Sequence, residues 1–183
     1  MVANSGSKWP FFSFGTVTAL KHSFLSIQEI EPDSAKSWRY WVEPFFSEDN
    51  FVQAWVSDSN YDYWQNASDP LQYQAAQRTY SHLRLKSNGL PPPLEQLEID
   101  TSQNPGRWTL RSGYVEAIGA RMWLGKPFWA YVGARRKLAI LSSGWLTVEE
   151  FENGVVEVGA SNRCFCDDST AVLQDRLRRV LYG

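Results

Sequence analysis

The sequence predicts an α+β protein built on an antiparallel sheet, with helices packed on one side of it, in a single domain that covers residues 1–183. Helix-like and strand-like segments both occur, but they do not alternate strictly as they do around a parallel sheet. A length of 183 residues suits one domain, and a hydrophobic content of 43% supplies a core.

The first half begins with strand patterns and continues with helix patterns. Residues 16–30 are rich in β-branched and apolar side chains and predict one or two strands, and residues 38–42 predict another. Ser47, followed by two acids, predicts a helix start. The residues expected to share a face of that helix are Phe51, Ala54, Trp55 and Asp58. A second helix is expected from Asp69, with Pro70 in its first turn, and it would end at the next turn signal.

That turn signal is a proline-rich run. Asn88-Gly89 is typical of a helix C-terminus, and the three prolines at 91–93 exclude both a helix and a central strand. Asn104-Pro105-Gly106 is a second break. The sequence therefore predicts a long ordered loop over residues 87–106, and loops of this length in domains are often functional.

The second half carries clearer signals. Residues 108–124 alternate and contain two glycines, which favours a strand. Lys126-Pro127 then begins a helix expected over 128–141. Asn153-Gly154 separates two β-rich runs, which predicts a hairpin with a type I′ turn. The last predicted element is a helix over 168–181, capped by Asp168 or Ser169. Its expected apolar stripe consists of Val172, Leu173, Leu177, Val180 and Leu181.

Charge is distributed unevenly along the chain. The formal net charge is only −2, but residues 1–100 contain seven basic and twelve acidic side chains, while the remainder is net basic. Residues 43–69 contain six acids and no Lys or Arg, together with seven aromatic residues. Acids interleaved with aromatics suit a protein interface, where aromatic rings anchor and carboxylates steer a basic partner. The alternative interpretation is a solvated acidic face without a partner.

The candidate partner-binding residues lie in and just before the tract 57–64, which is polar and aromatic and is expected to be a loop. They are Glu48, Asp49, Asp58, Tyr61, Asp62, Tyr63 and Trp64. The aromatic residues expected in the core are instead Phe51, Trp55, Trp123, Phe128, Trp145 and Phe151.

The sequence contains no decisive catalytic motif, so we expect a protein that is not an enzyme, with no catalytic residue, cofactor or metal. His22 and His82 lack ligand spacing, and Cys164-Phe165-Cys166 supplies too few ligands for zinc. Three clustered bases, Arg135-Arg136-Lys137, are too few to drive nucleic-acid binding. No apolar run is long enough to span a membrane, and residues 1–20 make a poor signal peptide, so a cytoplasmic protein is expected.

Four runs give the chain a resemblance to a known group of proteins. They are residues 57–66 (SDSNYDYWQN), 87–94 (SNGLPPPL), 100–108 (DTSQNPGRW) and 177–183 (LRRVLYG). Small, acidic and rich in tryptophan, the chain resembles bacterial polymorphic-toxin immunity proteins, which are encoded beside secreted toxins of Rhs or type VI secretion loci and act in bacterial competition.

The resemblance implies a cytoplasmic inhibitor that neutralises a cognate toxin by occluding its active site. A nuclease toxin with a basic cleft would complement the acidic tract. The alternative hypothesis is a small hydrolase or carbohydrate-binding protein. Its cleft would be lined by Trp38, Trp41 and Trp64, with carboxylates drawn from Asp58, Asp62 and Asp69.

Overall fold

A computed structural model describes residues 11–28 and 38–183. The strands are β1 (Phe11–Val17), β2 (His22–Gln28), β3 (Gln53–Val56), β4 (Leu85–Ser87), β5 (Leu97–Ile99), β6 (Thr109–Arg111), β7 (Tyr114–Glu116), β8 (Arg121–Leu124), β9 (Thr147–Glu150) and β10 (Val156–Gly159). The helices are α1 (Arg39–Val42), α2 (Ser59–Asn66), α3 (Pro70–Ala75), α4 (Lys126–Val132), α5 (Ala134–Leu141) and α6 (Ala171–Leu181). Short 3₁₀ turns span Thr18–Leu20, Glu43–Phe45 and Asp168–Thr170.

The central sheet has four antiparallel strands in the order β3-β8-β10-β9. Three two-stranded hairpins, β1-β2, β4-β5 and β6-β7, surround it. The predicted α+β class with antiparallel sheets is confirmed.

The two faces of the sheet differ in character. Strand alternation directs Met122, Leu124, Val156 and Val158 into one cluster, which α4, α5 and α6 cover through buried side chains. These covering side chains include Phe128, Ile140, Leu177 and Leu181. Trp123 points to the opposite face, which is covered by shorter segments that contribute Phe46, Tyr61 and Phe165.

A charged network crosses this second face. The Glu157 carboxylate is 4% exposed and receives hydrogen bonds from the guanidiniums of Arg121 and Arg39 and from the Trp123 indole at 2.9 Å. Arg39 also pairs with Glu149 at the sheet edge. Arg39 begins α1, so this buried carboxylate ties the α1 segment to the sheet.

The structure differs from the sequence prediction most strongly over residues 38–56. The strand predicted at 38–42 is wrong, because this segment forms α1. Trp38, just before the helix, and Val42, its last residue, are four positions apart and therefore pack on the same face of the sheet. The helix predicted from Ser47 is also wrong. That segment is a turn followed by β3, in which Ala54 and Trp55 face opposite sides of the sheet.

Several helix boundaries also differ. Helix α3 begins as predicted, with Asp69 accepting from the Leu71 N–H, but it ends at Ala75 and is followed by Gln77 at a φ of 55°. The predicted helix 128–141 is two helices, because Gly133 has a φ of 97° and breaks the hydrogen-bond ladder. Strand β5 interrupts the predicted 87–106 loop, so the prolines lie in the connection of the β4-β5 hairpin.

The β9-β10 hairpin is confirmed, but its turn is not type I′. Gly154 has a φ of 82°, whereas Asn153 is not left-handed, and the Gly154 N–H donates to Phe151 O at 2.8 Å. This suits a longer hairpin loop with glycine at its single left-handed position. The predicted cap of the last helix, Asp168 or Ser169, is wrong, because both residues lie in the 3₁₀ turn that Asp167 caps, and α6 itself begins after Thr170. Val172 in the predicted apolar stripe is 80% exposed.

The strand prediction for residues 16–30 is confirmed within the described residues as β1 and β2, whereas residues 29 and 30 lie outside them. Residues 1–10, half of the segment considered as a signal peptide, also lie outside the described part of the chain. The single strand predicted over 108–124 is instead three short strands, β6, β7 and β8, and the two glycines of the segment, Gly113 and Gly119, lie in the breaks between them. Trp123 and Phe128 are fully buried as expected, while Phe51, Trp55, Trp145 and Phe151 are partly buried against the clusters.

Candidate functional site

The acidic and aromatic tract is mostly helical. The expected loop over 57–64 is wrong, because residues 59–66 form α2. Asp58 caps this helix, its carboxylate accepting from the Tyr61 N–H at 2.8 Å. The capping carboxylate satisfies an otherwise unpaired backbone donor and faces the positive end of the helix dipole. Asp58 therefore has a structural role in addition to any role at a surface.

Tyr61 lies in the core rather than at the surface. Its ring is 9% exposed and packs in the cluster with Trp123 and Phe46. Its hydroxyl accepts from Gln174 Nε2 at 3.0 Å and donates to Asp168 Oδ1 at 3.2 Å. Burial raises the pKa of Tyr61 to about 12. Tyr61 thus holds α2 against the sheet.

Asp62 is half-buried beside Trp108. Burial raises the pKa of its carboxyl to about 6, against an opposing hydrogen bond from the Trp108 side chain. Trp108 itself is 39% exposed, and its backbone N–H donates to Asn66 Oδ1 of α2 at 2.8 Å. The carboxylate of Asp62 is thus only partly available to solvent.

Tyr63 and Trp64 occupy different environments. Tyr63 is 47% exposed and contacts the Trp64 ring edge-on at a centroid separation of 4.9 Å. Trp64 packs on Tyr73 of α3 in a small separate cluster, and the Arg78 guanidinium lies 4.2 Å from its ring centroid. Tyr63 is therefore the aromatic residue of this pair that presents more surface to a partner.

Glu48 and Asp49 lie in the turn between α1 and β3, and both are exposed. This turn is fixed to the β9-β10 hairpin, because Asn153 Nδ2 donates to Phe46 O at 2.9 Å. The turn and the hairpin together border a shallow depression of about 110 Å³, at whose edge Lys126 lies.

The turn and α2 cover the same face of the sheet. Phe46 follows the 3₁₀ turn and Tyr61 belongs to α2, and both pack in the cluster around Trp123. Phe165 joins this cluster from the segment just before α6. The face therefore brings together the two parts of the predicted surface, although they are separated by strand β3.

Six carboxylates belong to the segments that cover this face, and no described Lys or Arg lies within 4 Å of any of them. They are Glu48, Asp49, Asp58, Asp62, Asp167 and Asp168. Elsewhere, carboxylates are often paired: Asp100 with Arg84 and Lys86, and Glu150 with Lys137 at 2.5 Å. We call these six residues the acidic face. Unpaired carboxylates concentrated on one face produce a negative potential there.

Sequence reasoning missed Asp167 and Asp168. Asp168 accepts hydrogen bonds from Tyr61 and from Gln65 of α2, which brings it beside the tract across more than 100 residues of sequence. Asp167 caps the last 3₁₀ turn, and hydrogen bonds from Ser169 lower the pKa of its carboxyl. The sequence indicated Asp168 only as a possible helix cap, and it gave no signal for Asp167.

The residues of the alternative cleft lie apart. Trp38 packs on the second face of the sheet. The Trp41 ring contacts the Phe12 ring of β1 at a centroid separation of 5.8 Å, and Trp64 belongs to the cluster on α3. Asp69 caps α3 through the Leu71 N–H at 2.9 Å. Within the described residues, none of these tryptophans lines the depression beside Glu48 or the cleft at the end of α6.

Cys164 and Cys166 are free thiols, the first half-buried and the second exposed. Burial raises the pKa of the Cys164 thiol, and the nearby Asp58 adds to this effect. Within the described residues, no group of three His, Cys, Asp or Glu side chains is arranged to hold a metal ion.

No helix in the part of the chain described here combines the length and apolar character that crossing a membrane requires. No protein-family model, no curated protein and no solved structure matches the chain.

Proposed function

We propose that this protein is an immunity protein that binds a cognate secreted bacterial toxin and neutralises it by occluding the toxin's active site. The observation that carries the proposal is the acidic face, where six carboxylates have no described Lys or Arg within 4 Å. A basic partner would supply the missing counter-charges.

The acidic face is also held in place by buried side chains. Tyr61 and Phe46 are buried beneath it, and Asp58 fixes the first turn of α2. A surface that is already ordered loses little conformational freedom on binding, which favours affinity. Tyr63 adds exposed aromatic area at the centre of the tract, and tyrosine is frequent among residues that dominate binding energies.

The partner that this surface fits best is a toxin with a basic active-site cleft, such as a nuclease. A nuclease cleft is positively charged because it binds phosphates. An acidic protein seated in that cleft competes directly with the nucleic acid, so inhibition needs no catalysis by the inhibitor. The toxin acts inside the recipient cell, and we place the immunity protein in the cytoplasm for the same reason.

Co-expression tests this proposal. The toxin gene beside this gene is induced in a bacterial host, with and without this chain. We expect the chain to restore growth and to co-purify with the toxin. Absence of both rescue and complex would contradict the proposal. A non-cognate toxin from another locus serves as the control, and growth in its presence should not be restored.

A further inference from the structure

A second charged region lies beside the C-terminal end of α6. A cleft of about 420 Å³ lies between the C-terminal end of α6 and the segment that leads into β6. This volume is within the range typical of small-molecule sites. The residues that line it include Arg107, Thr109, Arg178, Arg179 and Tyr182.

The cleft contains three arginines without an ion-pair partner. No described carboxylate lies within 4 Å of the guanidinium of Arg107, Arg178 or Arg179. Arg107 donates to Asn104 O at 2.8 Å, and Arg179 is exposed. Three guanidiniums close together without counter-ions repel one another and attract an anion.

Arg178 is the most unusual of the three. It is 8% exposed, and its Nη atoms donate to the backbone oxygens of Glu116, at 3.2 Å, and Arg107. Its Nε has no hydrogen-bond partner. Burial lowers the pKa of this guanidinium, and the charge of Arg107 lowers it further. A buried cation that is held only by neutral carbonyls is costly, and a bound anion would reduce this cost.

Two acidic side chains, Glu116 and Asp175, also line the cleft, and their charges act on the pKa of Arg178 in the direction opposite to burial. The Glu116 carboxylate is engaged by Arg111, whose Nε lies 2.8 Å from Oε1. Asp175 of α6 is the other carboxylate in the lining. The Tyr182 hydroxyl donates to Ala117 O at 2.8 Å, and burial raises the pKa of this tyrosine, so it is uncharged. The lining therefore has three arginines and two acidic side chains, one of which is engaged by Arg111 from outside the lining.

We propose that this cleft binds the phosphate group of a small phosphorylated molecule. Guanidinium groups donate paired hydrogen bonds that match phosphate oxygens, and the two negative charges of a phosphate dianion compensate more than one arginine. The cleft is larger than one phosphate group, which leaves space for an attached sugar or similar group. The site is independent of the acidic face, because none of its lining residues belongs to that face.

Titration with defined probes tests the site at constant ionic strength. The probes are inorganic phosphate, ribose 5-phosphate and, as the uncharged control, ribose. We expect saturable binding of ribose 5-phosphate with a Kd below about 1 mM, and no binding of ribose. Tighter binding of the ester than of inorganic phosphate identifies a phosphate-ester site, and equal binding identifies a site for free phosphate. Absence of saturation by both phosphate probes at about 10 mM overturns the proposal.

Variants connect the binding to the cleft. Arg179→Gln removes an exposed arginine of the lining, and we expect it to weaken phosphate binding about tenfold. Arg163→Gln removes an exposed arginine outside the lining and should leave binding unchanged. Arg107→Gln should also weaken binding, with thermal unfolding as a check on its fold. Equal affinities for the wild type, Arg179→Gln and Arg107→Gln would overturn the assignment.

Discussion

At the residue scale, Asp62 shows how burial changes the chemistry of a surface acid. The folded-state pKa of about 6 lies above the 3.8 of an exposed aspartate, because burial disfavours the charged form. The folded protein therefore binds the proton more tightly than the unfolded chain between about pH 4 and pH 6. The free energy of unfolding accordingly decreases as the pH rises through this window.

Asp62→Asn tests this effect. The neutral amide removes the cost of burying a charge, so we expect the free energy of unfolding at pH 7 to increase by about 1 kcal/mol. The increase is smaller than the pKa shift alone implies, because solvent partly screens this half-buried side chain. The decrease between about pH 4 and pH 6 should become shallower. Denaturant unfolding across this pH range measures both. Asp49→Asn, at an exposed position, is the control, and a less stable Asp62→Asn protein at pH 7 would contradict this account.

Glu157 shows the opposite case, a buried carboxylate with partners. Glu157→Gln leaves Arg121 and the Trp123 indole facing a neutral side chain, so we expect a loss of about 3 kcal/mol in the free energy of unfolding. Glu149→Gln is the matched control, because Glu149 is 52% exposed and its pairing with the same Arg39 lies at the surface. The control should lose less than about 1 kcal/mol. Similar losses for the two variants in urea unfolding would refute a buried role for Glu157.

At the element scale, the local sequence predicted structure well where a single residue type determines the backbone conformation. Asn153-Gly154 identified the β9-β10 hairpin, and Asp69-Pro70 identified the start of α3. The segment 38–56 could not be predicted in this way. Strand β3 forms because it pairs with β8, and α1 forms because Trp38 and Val42 reach the same cluster. Both depend on contacts with distant residues that a local pattern does not contain.

The break between α4 and α5 gives a prediction at this scale. Gly133 has a φ of 97°, which a residue with a side chain adopts only under strain, although the space around its Cα is open. Gly133→Ala should therefore lower the free energy of unfolding by about 1–3 kcal/mol through backbone strain alone.

Gly144→Ala is the control for this substitution. Gly144 also has open space around it, but it lacks a positive φ, so its substitution should change stability little. Thermal unfolding of the two variants separates backbone strain from crowding. Equal melting temperatures would show that the conformation of Gly133 does not end α4.

At the scale of the whole molecule, the sequence predicted the acidic character of the candidate site but not its construction. The charge bias over residues 43–69 identified Glu48 and Asp49, which are exposed. The folding of the tract into α2 places Tyr61 in the core instead and brings Asp168 beside it. A helix buries one side, and which side it buries depends on the sheet beneath it.

The acidic face predicts fast, salt-sensitive association with a basic partner. Substitution of Glu48→Lys together with Asp49→Lys reverses charge at two exposed positions that cap no helix. Opposite charges steer encounter and like charges oppose it, so the association rate should decrease at least about tenfold at low salt. Glu95→Lys, in the connection of the β4-β5 hairpin, is the matched charge reversal away from the acidic face.

The most direct test of the proposed function is therefore the association rate of the purified chain with the proposed cognate toxin, measured by stopped flow over a range of salt concentrations. We expect the wild type and Glu95→Lys to associate rapidly and to slow as salt increases. We expect the double variant with Glu48→Lys and Asp49→Lys to associate slowly, with little dependence on salt. Equal rates and equal salt dependence for all three proteins would contradict the role of the acidic face.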